Sequence, residues 1–292
     1  MQTEPRQGEI RCLRDSVESH YDSLAFLYRA FWGEHIHHGL WTTPDEPLRG
    51  APERLVEYLS RRACIERGER VLDVGCGYGA AGRWLASRLA CDVTGITISA
   101  GQARVAKRRN ARETRAGSTS VVRADAVRLP FLGRAFDVIW VIECIEHLAP
   151  AGKERFFQES ARLLRPGGRL ALCTWEHGDV TPGRDGSQPG RLVAEVSDRF
   201  LCPSLASAAE YTAWCEAAGL AVSWSEDLTA KVERTWDVLL KRVRRPWLQW
   251  LKPWVSPTTR RFVEGFPVIR EAYATGAMKY GLLIAEKRRS AA

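Results

Sequence analysis

The chain has 292 residues, 45% hydrophobic and 27% charged, with a formal net charge of +8 at pH 7. This is ordinary for a globular protein, and long enough for one large domain or a domain with a cap. No apolar run approaches the roughly 18 residues that span a bilayer. The eight cysteines (Cys12, Cys64, Cys76, Cys91, Cys144, Cys173, Cys202, Cys215) form no C-x-x-C pair, which argues against a zinc ribbon and a secreted disulfide framework.

The opening residues, MQTEPRQGEIRCLRDSVESH, hold no apolar core and no small-residue cleavage site. A signal peptide is therefore not expected, and reduced thiols in a cytoplasmic protein are. The Arg-rich positive charge suits a solvated surface, with weak contact to a membrane surface as the alternative. Residues 10–66 are helical in pattern, and 1–66 read as an N-terminal lid or cap. From about residue 70, short apolar runs alternate with helical spacing. VLDV ends in glycines, AAGRWLASRLA follows as a helix, and CDVTGI is a second strand. SAGQARVAKRRNARE is a helix with Ser99 as its N-cap. SVVRAD, FDVIWVI and GRLALCTW are three more strands; ERFFQESARLL is a helix closed by Arg165-Pro166-Gly167-Gly168. Such alternation implies an α/β fold with a parallel sheet and helices on both faces. Residues 67–175 form its first part and 176–292 the remainder. Within that remainder 206–226 and 277–287 return to the core, and the Trp- and Arg-rich stretch 227–276 is an inserted substrate cap.

Chemistry concentrates in Val71-Leu72-Asp73-Val74-Gly75-Cys76-Gly77-Tyr78-Gly79. A strand runs into a glycine turn where the backbone approaches a ligand closely. The spacing is G-x-G-x-G, not the dinucleotide G-x-G-x-x-G, and no G-K-[ST] follows as in a P-loop. Asp73 would repel phosphate; it suits an ammonium group or hydroxyls.

With this loop the chain resembles the class I S-adenosylmethionine (SAM) methyltransferases. VTGITIS, RADAVRLPF, FDVIWVIECIEHL and LLRPGGRLALCTW match the landmarks of that class. YDSLAFLYRAFWGEHIHHGLW, RFLCPSLASAAEYTAWCEAAGL and EGFPVIREAYATGAMKYGLL resemble its tocopherol C-methyltransferase-like group, so the similarity runs from about Tyr21 to Lys287. The resemblance implies a Rossmann-like, seven-stranded sheet with a helical cap, SAM as cofactor and S-adenosylhomocysteine (SAH) as product. It implies cofactor contacts from Tyr21, Trp41, Asp73, Gly75, Cys76, Gly77, Asp125, Ala126 and Glu143. The acidic residue that many class I enzymes carry after the second strand is missing here. The resemblance assigns the ribose instead to Thr97, Ile98 and Gln102.

The segment WGEHIHHGLW packs His35, His37 and His38 between Trp32 and Trp41. Three histidines so close in sequence cannot converge on one ion, so no metal is expected. The resemblance makes the segment a lid over the methionine end of the cofactor. Proton removal from the acceptor falls to His147 and Glu146, in the loop after the fourth strand, or to His38. The competing reading makes Glu146 and His147 a structural pair at a helix start. The Trp-rich cap favours a bulky apolar small-molecule acceptor (a phenol, quinol, indole or isoprenoid); carbon, amine and hydroxyl acceptors all fit the chemistry, and methylation at carbon is the favoured expectation. No basic appendage and no Asn/Asp-Pro-Pro-aromatic motif points to nucleic acid. A lipid or fatty-acyl methyltransferase at a membrane surface, and a non-catalytic SAM-binding module, are the alternatives.

Overall fold

The computed structural model describes residues 16–19, 32–43, 46–112, 116–180, 187–245 and 255–289. In chain order the elements are α1 (Ala51–Arg62), β1 (Arg70–Val74), α2 (Ala80–Leu89), β2 (Asp92–Thr97), α3 (Ala100–Asn110), β3 (Ser118–Arg123) and β4 (Phe136–Ile142). Then come α4 (Pro150–Leu163), β5 (Leu164–His177), α5 (Gln188–Arg199), α6 (Ala208–Ala217), β6 (Leu220–Asp227), α7 (Thr229–Val232), α8 (Arg234–Val243), α9 (Pro257–Ala274) and β7 (Met278–Lys287). The seven strands form one sheet in the order β3-β2-β1-β4-β5-β7-β6. It is parallel except for β7, which runs antiparallel to both neighbours. This is the expected Rossmann-like α/β sheet. Every residue of β4 is buried, as a central strand covered on both faces requires.

Local chemistry sets the element ends. The Ser99 side chain accepts from the Gln102 N–H and caps α3 as expected, and Ser207 with Glu210 closes a capping box on α6. Arg165–Gly168 is not a terminating turn. The β4–β5 register jumps from Phe136–Leu164 to Val138–Arg169, so these residues bulge out of a strand that has already begun. Gly167 adopts φ +77° there, and a Cβ on Gly168 would meet the Asp137 carbonyl oxygen at 2.9 Å.

The helical reading of 10–66 needs a larger correction. Residues 16–19 and α1 are helical, but no helix forms over the described residues between 32 and 50. The backbone there bonds to distant partners instead. His38 N donates to Glu143 Oε1 (2.8 Å) and Gly39 N to Thr235 Oγ1 (3.0 Å). Leu40 N donates to the Ala51 carbonyl and Trp41 N to the Lys231 carbonyl, each at 2.8 Å. Gly39 is required at its position, because a Cβ would lie 2.5 Å from that of Ala51. This strap joins the carboxyl edge of the sheet to α7 and α8. The interface between α8, α9 and the end of α5 is aromatic: Trp236 packs on Phe200 and Phe266, and Phe262 on both of these. Among the described residues no helix is long and apolar enough to cross a membrane.

Candidate active site

β1 and β4 are neighbours whose connections leave in opposite directions, and in such sheets ligands bind beyond the carboxyl ends of the strands. A cavity of about 630 Å³ lies at that edge, within the usual range for ligand sites. Asp73, Gly75, Cys76, Gly77, Thr97, Ile98, Gln102, Asp125, Ala126 and Glu143 all line it, so the fold brings together residues from four segments that the sequence analysis singled out. Tyr21 lies outside the described residues. Trp41 is a correction: it lines neither this cavity nor the next. Its indole donates to Thr235 Oγ1 at 3.2 Å and packs with Leu48 and Ala51, so it anchors the strap. The lining comes instead from Glu34, His35, Ile36 and His37.

Gly75, Gly77 and Gly79 all have positive φ, the conformation for which glycine is suited. The amides of Gly75 and Cys76 both donate to the Ile96 carbonyl, at 3.0 and 2.8 Å. This ties the turn to β2. Asp73, 3% exposed, has a buried Oδ2 with no hydrogen-bond partner among the described residues. Burial pushes its carboxyl up to about 7, against a lowering bond from the Gly82 N–H. An orphaned buried carboxylate oxygen beside a glycine turn is the complement of an ammonium group, and on that observation the site fits SAM. The Thr97 hydroxyl donates to Gln102 Oε1 at 2.7 Å, which turns the Gln102 amide nitrogen into the remaining donor. Asp125 Oδ1 accepts from Val127 N at 3.1 Å, which holds the turn after β3.

At the end of β4 Glu143 takes a left-handed φ of +50°. Its Oε1 accepts from His38 N (2.8 Å), His38 Nδ1 (3.0 Å) and the Tyr280 hydroxyl (2.8 Å). Burial opposes its charge, but the adjoining His38 and His37 outweigh burial and hold the carboxyl at about 2. The indole N–H of Trp236 donates to His38 Nε2 at 2.7 Å. An indole nitrogen can only donate, so the His38 ring proton sits on Nδ1. His38 is thus a bridge between α8 and Glu143, with both ring nitrogens engaged. Its neighbours are chained similarly: the His37 Nδ1–H donates to the His38 carbonyl (2.7 Å), and His35 Nδ1 lies 3.2 Å from His37 Nε2. Burial lowers both, His35 to about 3 with help from His37 and Arg83. Among the described residues no group of three or more His, Cys, Asp or Glu could hold a metal ion.

Beyond Glu143 is a second cavity of about 40 Å³, which the sequence analysis did not delineate. Trp32, Trp175, Phe200, Trp236 and Phe262 wall it, and Ile36, Glu143 and His147 are common to both cavities. Glu146 and His147 meet here. Glu146 Oε1 accepts from Thr174 Oγ1 (2.9 Å) and Trp175 N (2.8 Å), and its buried Oε2 has no partner among the described residues. Burial, then the nearby Glu143, raises the carboxyl to about 7. The His147 Nδ1–H donates to the Leu201 carbonyl at 2.9 Å, which puts the lone pair on Nε2; burial lowers its pKa. Cys76 and Cys144 line the larger cavity, but burial pushes both thiols up, so neither is a thiolate nucleophile. The local signal for the aromatic wall was weak, because its five rings come from separate segments.

Comparison with known proteins agrees with this geometry. Residues 71–168 match the methyltransferase domain family. The 27-O-demethylrifamycin SV methyltransferase of Amycolatopsis mediterranei (strain S699) is 34% identical over 228 residues, covering 76% of this chain and 79% of that protein. The chloroplastic tocopherol O-methyltransferase of Arabidopsis thaliana is 29% identical over 295 residues, covering 94% and 82%. Among solved structures, a mycolic acid cyclopropane synthase complexed with SAH and CTAB superposes with a TM-score of 0.83 at 20% identity, covering 94% of this chain and 98% of that one. The chain belongs to the S-adenosylmethionine-dependent methyltransferases.

Proposed function

We propose that the chain methylates a largely apolar small molecule of phenol, quinol, indole or isoprenoid type, at carbon in preference to nitrogen or oxygen. The observation that carries this is the aromatic cavity, which abuts the cofactor cavity at Ile36, Glu143 and His147. The smaller cavity is too small for a ring, so the acceptor's ring would lie in the larger cavity, with its tip against these aromatic side chains, which pack well on apolar groups. Their faces also stabilise the positive charge that builds on an electron-rich acceptor as its carbon is alkylated. Relatives named for tocopherol and for 27-O-demethylrifamycin SV support a small-molecule acceptor.

In the larger cavity SAM would supply an electrophilic methyl group on its sulfonium. Asp73 would take the ammonium group, Glu143 would face the methionine portion, and Gln102, held by Thr97, would reach the ribose. Asp125 and Ala126 would flank the adenine. Residues 34–37 close over the cavity and exclude water. The acceptor's proton would pass to His147 Nε2 or Glu146 Oε2. A buried imidazole with a lowered pKa is neutral at pH 7, and a carboxyl near 7 is suited to general-base work.

The test is turnover with methyl-¹³C-labelled SAM and a panel of phenols, indoles and prenyl compounds, with the products read by NMR. Label on an acceptor carbon is expected. Label on oxygen or nitrogen overturns the carbon preference, and turnover only with small hydrophilic amines overturns the apolar class.

A further inference from the structure

Two residues that line the smaller cavity, Glu146 and Trp175, each carry a buried hydrogen-bonding atom without a partner among the described residues, and the two atoms are of opposite kind. Glu146 Oε2 is an acceptor and Trp175 Nε1 a donor, both are buried, and neither has a partner among the described residues. Glu146 is 2% exposed and Trp175 8%. Buried polar atoms in native proteins are almost always paired, so an orphaned pair on one cavity calls for a ligand. The surrounding structure fixes both. Glu146 is clamped through its other oxygen by Thr174 and by the Trp175 main chain. The Trp175 ring is wedged edge-on against His38, Phe200 and Trp236. A cavity of about 40 Å³ has room for about one small polar group.

We propose that Trp175 Nε1 and Glu146 Oε2 form a hydroxyl-reading subsite, so that the acceptor carries a phenolic or enolic hydroxyl, which accepts from the indole and donates to the carboxylate. Only a group that is donor and acceptor at once satisfies both atoms, and a hydroxyl is the smallest such group. An ether or a ketone leaves the carboxylate unmet, and a hydrocarbon leaves both atoms unmet. Sites built around a hydroxyl reject analogues that lack it far more strongly than apolar pockets reject a missing methylene. The inference rests on the proposed function and narrows its acceptor to hydroxylated rings. A resident water has the same hydrogen-bonding chemistry and is the rival occupant.

The experiment titrates phenol, anisole and toluene into the SAH-loaded protein, with binding followed by ligand NMR. Phenol is expected to bind at least about 10-fold tighter than toluene, as one well-placed hydrogen bond to a charged group allows. In Trp175→Phe that advantage is expected to shrink to within about 3-fold while SAH affinity holds. Glu146→Gln turns an amide donor into the cavity and is expected to favour anisole over phenol, which keeps the proposal testable if the Trp175 variant folds poorly. Equal binding of phenol and toluene by the unaltered protein overturns the subsite and leaves the pair to a water. Equal loss of both ligands in Trp175→Phe reduces Trp175 to wall packing and also overturns it. Failure of the unaltered protein to bind SAH contradicts the proposed function instead.

Discussion

Glu143 Oε1 accepts from both the main-chain N–H and the ring Nδ1–H of His38, which stands 105 positions earlier in the chain. This pair joins the strap to the carboxyl end of β4, and Trp236 sets its polarity by donating to the opposite ring nitrogen. His38→Asn keeps an amide donor where Nδ1 stood, whereas His38→Gln moves the amide toward Trp236. SAH affinity is expected to stay within about 3-fold in His38→Asn and to fall about 10-fold in His38→Gln, the worth of one charge-assisted hydrogen bond. Equal affinities in the two variants, measured calorimetrically, would refute the bridge.

The raised carboxyls make a stability prediction with a definite sign. Asp73 and Glu146 titrate near 7 in the folded chain and near 4 when unfolded. Between these values the unfolded state loses its protons first, so the contribution of each group to stability falls as pH rises. The buried histidines, with lowered pKa values, act in the opposite direction below about 6.5, so the readout is the difference between variant and parent. Without ligand, Asp73→Asn and Glu146→Gln are each expected to gain on the parent from pH 5 to pH 8, by on the order of 1–3 kcal/mol. A difference in melting temperature that stays constant with pH would contradict the assignment.

Trp41 is expected to matter for stability and not for the cofactor. Trp41→Phe removes the bond to Thr235 and thins the packing on Leu48 and Ala51, at a cost of about 1–3 kcal/mol. SAH affinity should remain within about 2-fold, because the indole lines neither cavity. A loss above about 10-fold in a folded variant would return Trp41 to the cofactor site.

Much of this site was legible in the sequence because its cofactor half is local. Strand-to-glycine turns, the Ser99 cap and the run Glu143–His147 are read off neighbouring residues, and the parallel sheet brings their ends to one edge. The rest was not legible, for a physical reason. Trp41 is positioned by Thr235, 194 residues away, and the amides of the strap find partners in Glu143 just beyond β4 and in α1, α7 and α8 rather than in a helix of their own. The aromatic cavity is assembled from Trp32, Trp175, Phe200, Trp236 and Phe262, a set that no local period relates. The bulge at Arg165–Gly168 reads locally as a turn, and only its register against β4 shows that the strand continues.

Gly265 in α9 offers a way to move the acceptor wall without touching the cofactor. A Cβ there would lie 2.7 Å from Phe200 Cε2 and 3.0 Å from its Cζ, so Gly265→Ala must displace a ring that lines the smaller cavity. The expected result is an acceptor KM raised about 10-fold with SAH affinity unchanged. An unchanged acceptor KM would mean that Phe200 does not shape the acceptor site.

The most direct test of the site is a calorimetric titration of SAH into the unaltered protein and Asp73→Asn at pH 8. The unpartnered Asp73 oxygen is assigned to the ligand's ammonium group, so the unaltered protein should bind at micromolar affinity and the variant at least about 10-fold more weakly. Equal affinity in the two proteins would show that Asp73 does not hold the ligand and would contradict the placement of the cofactor at the glycine turn.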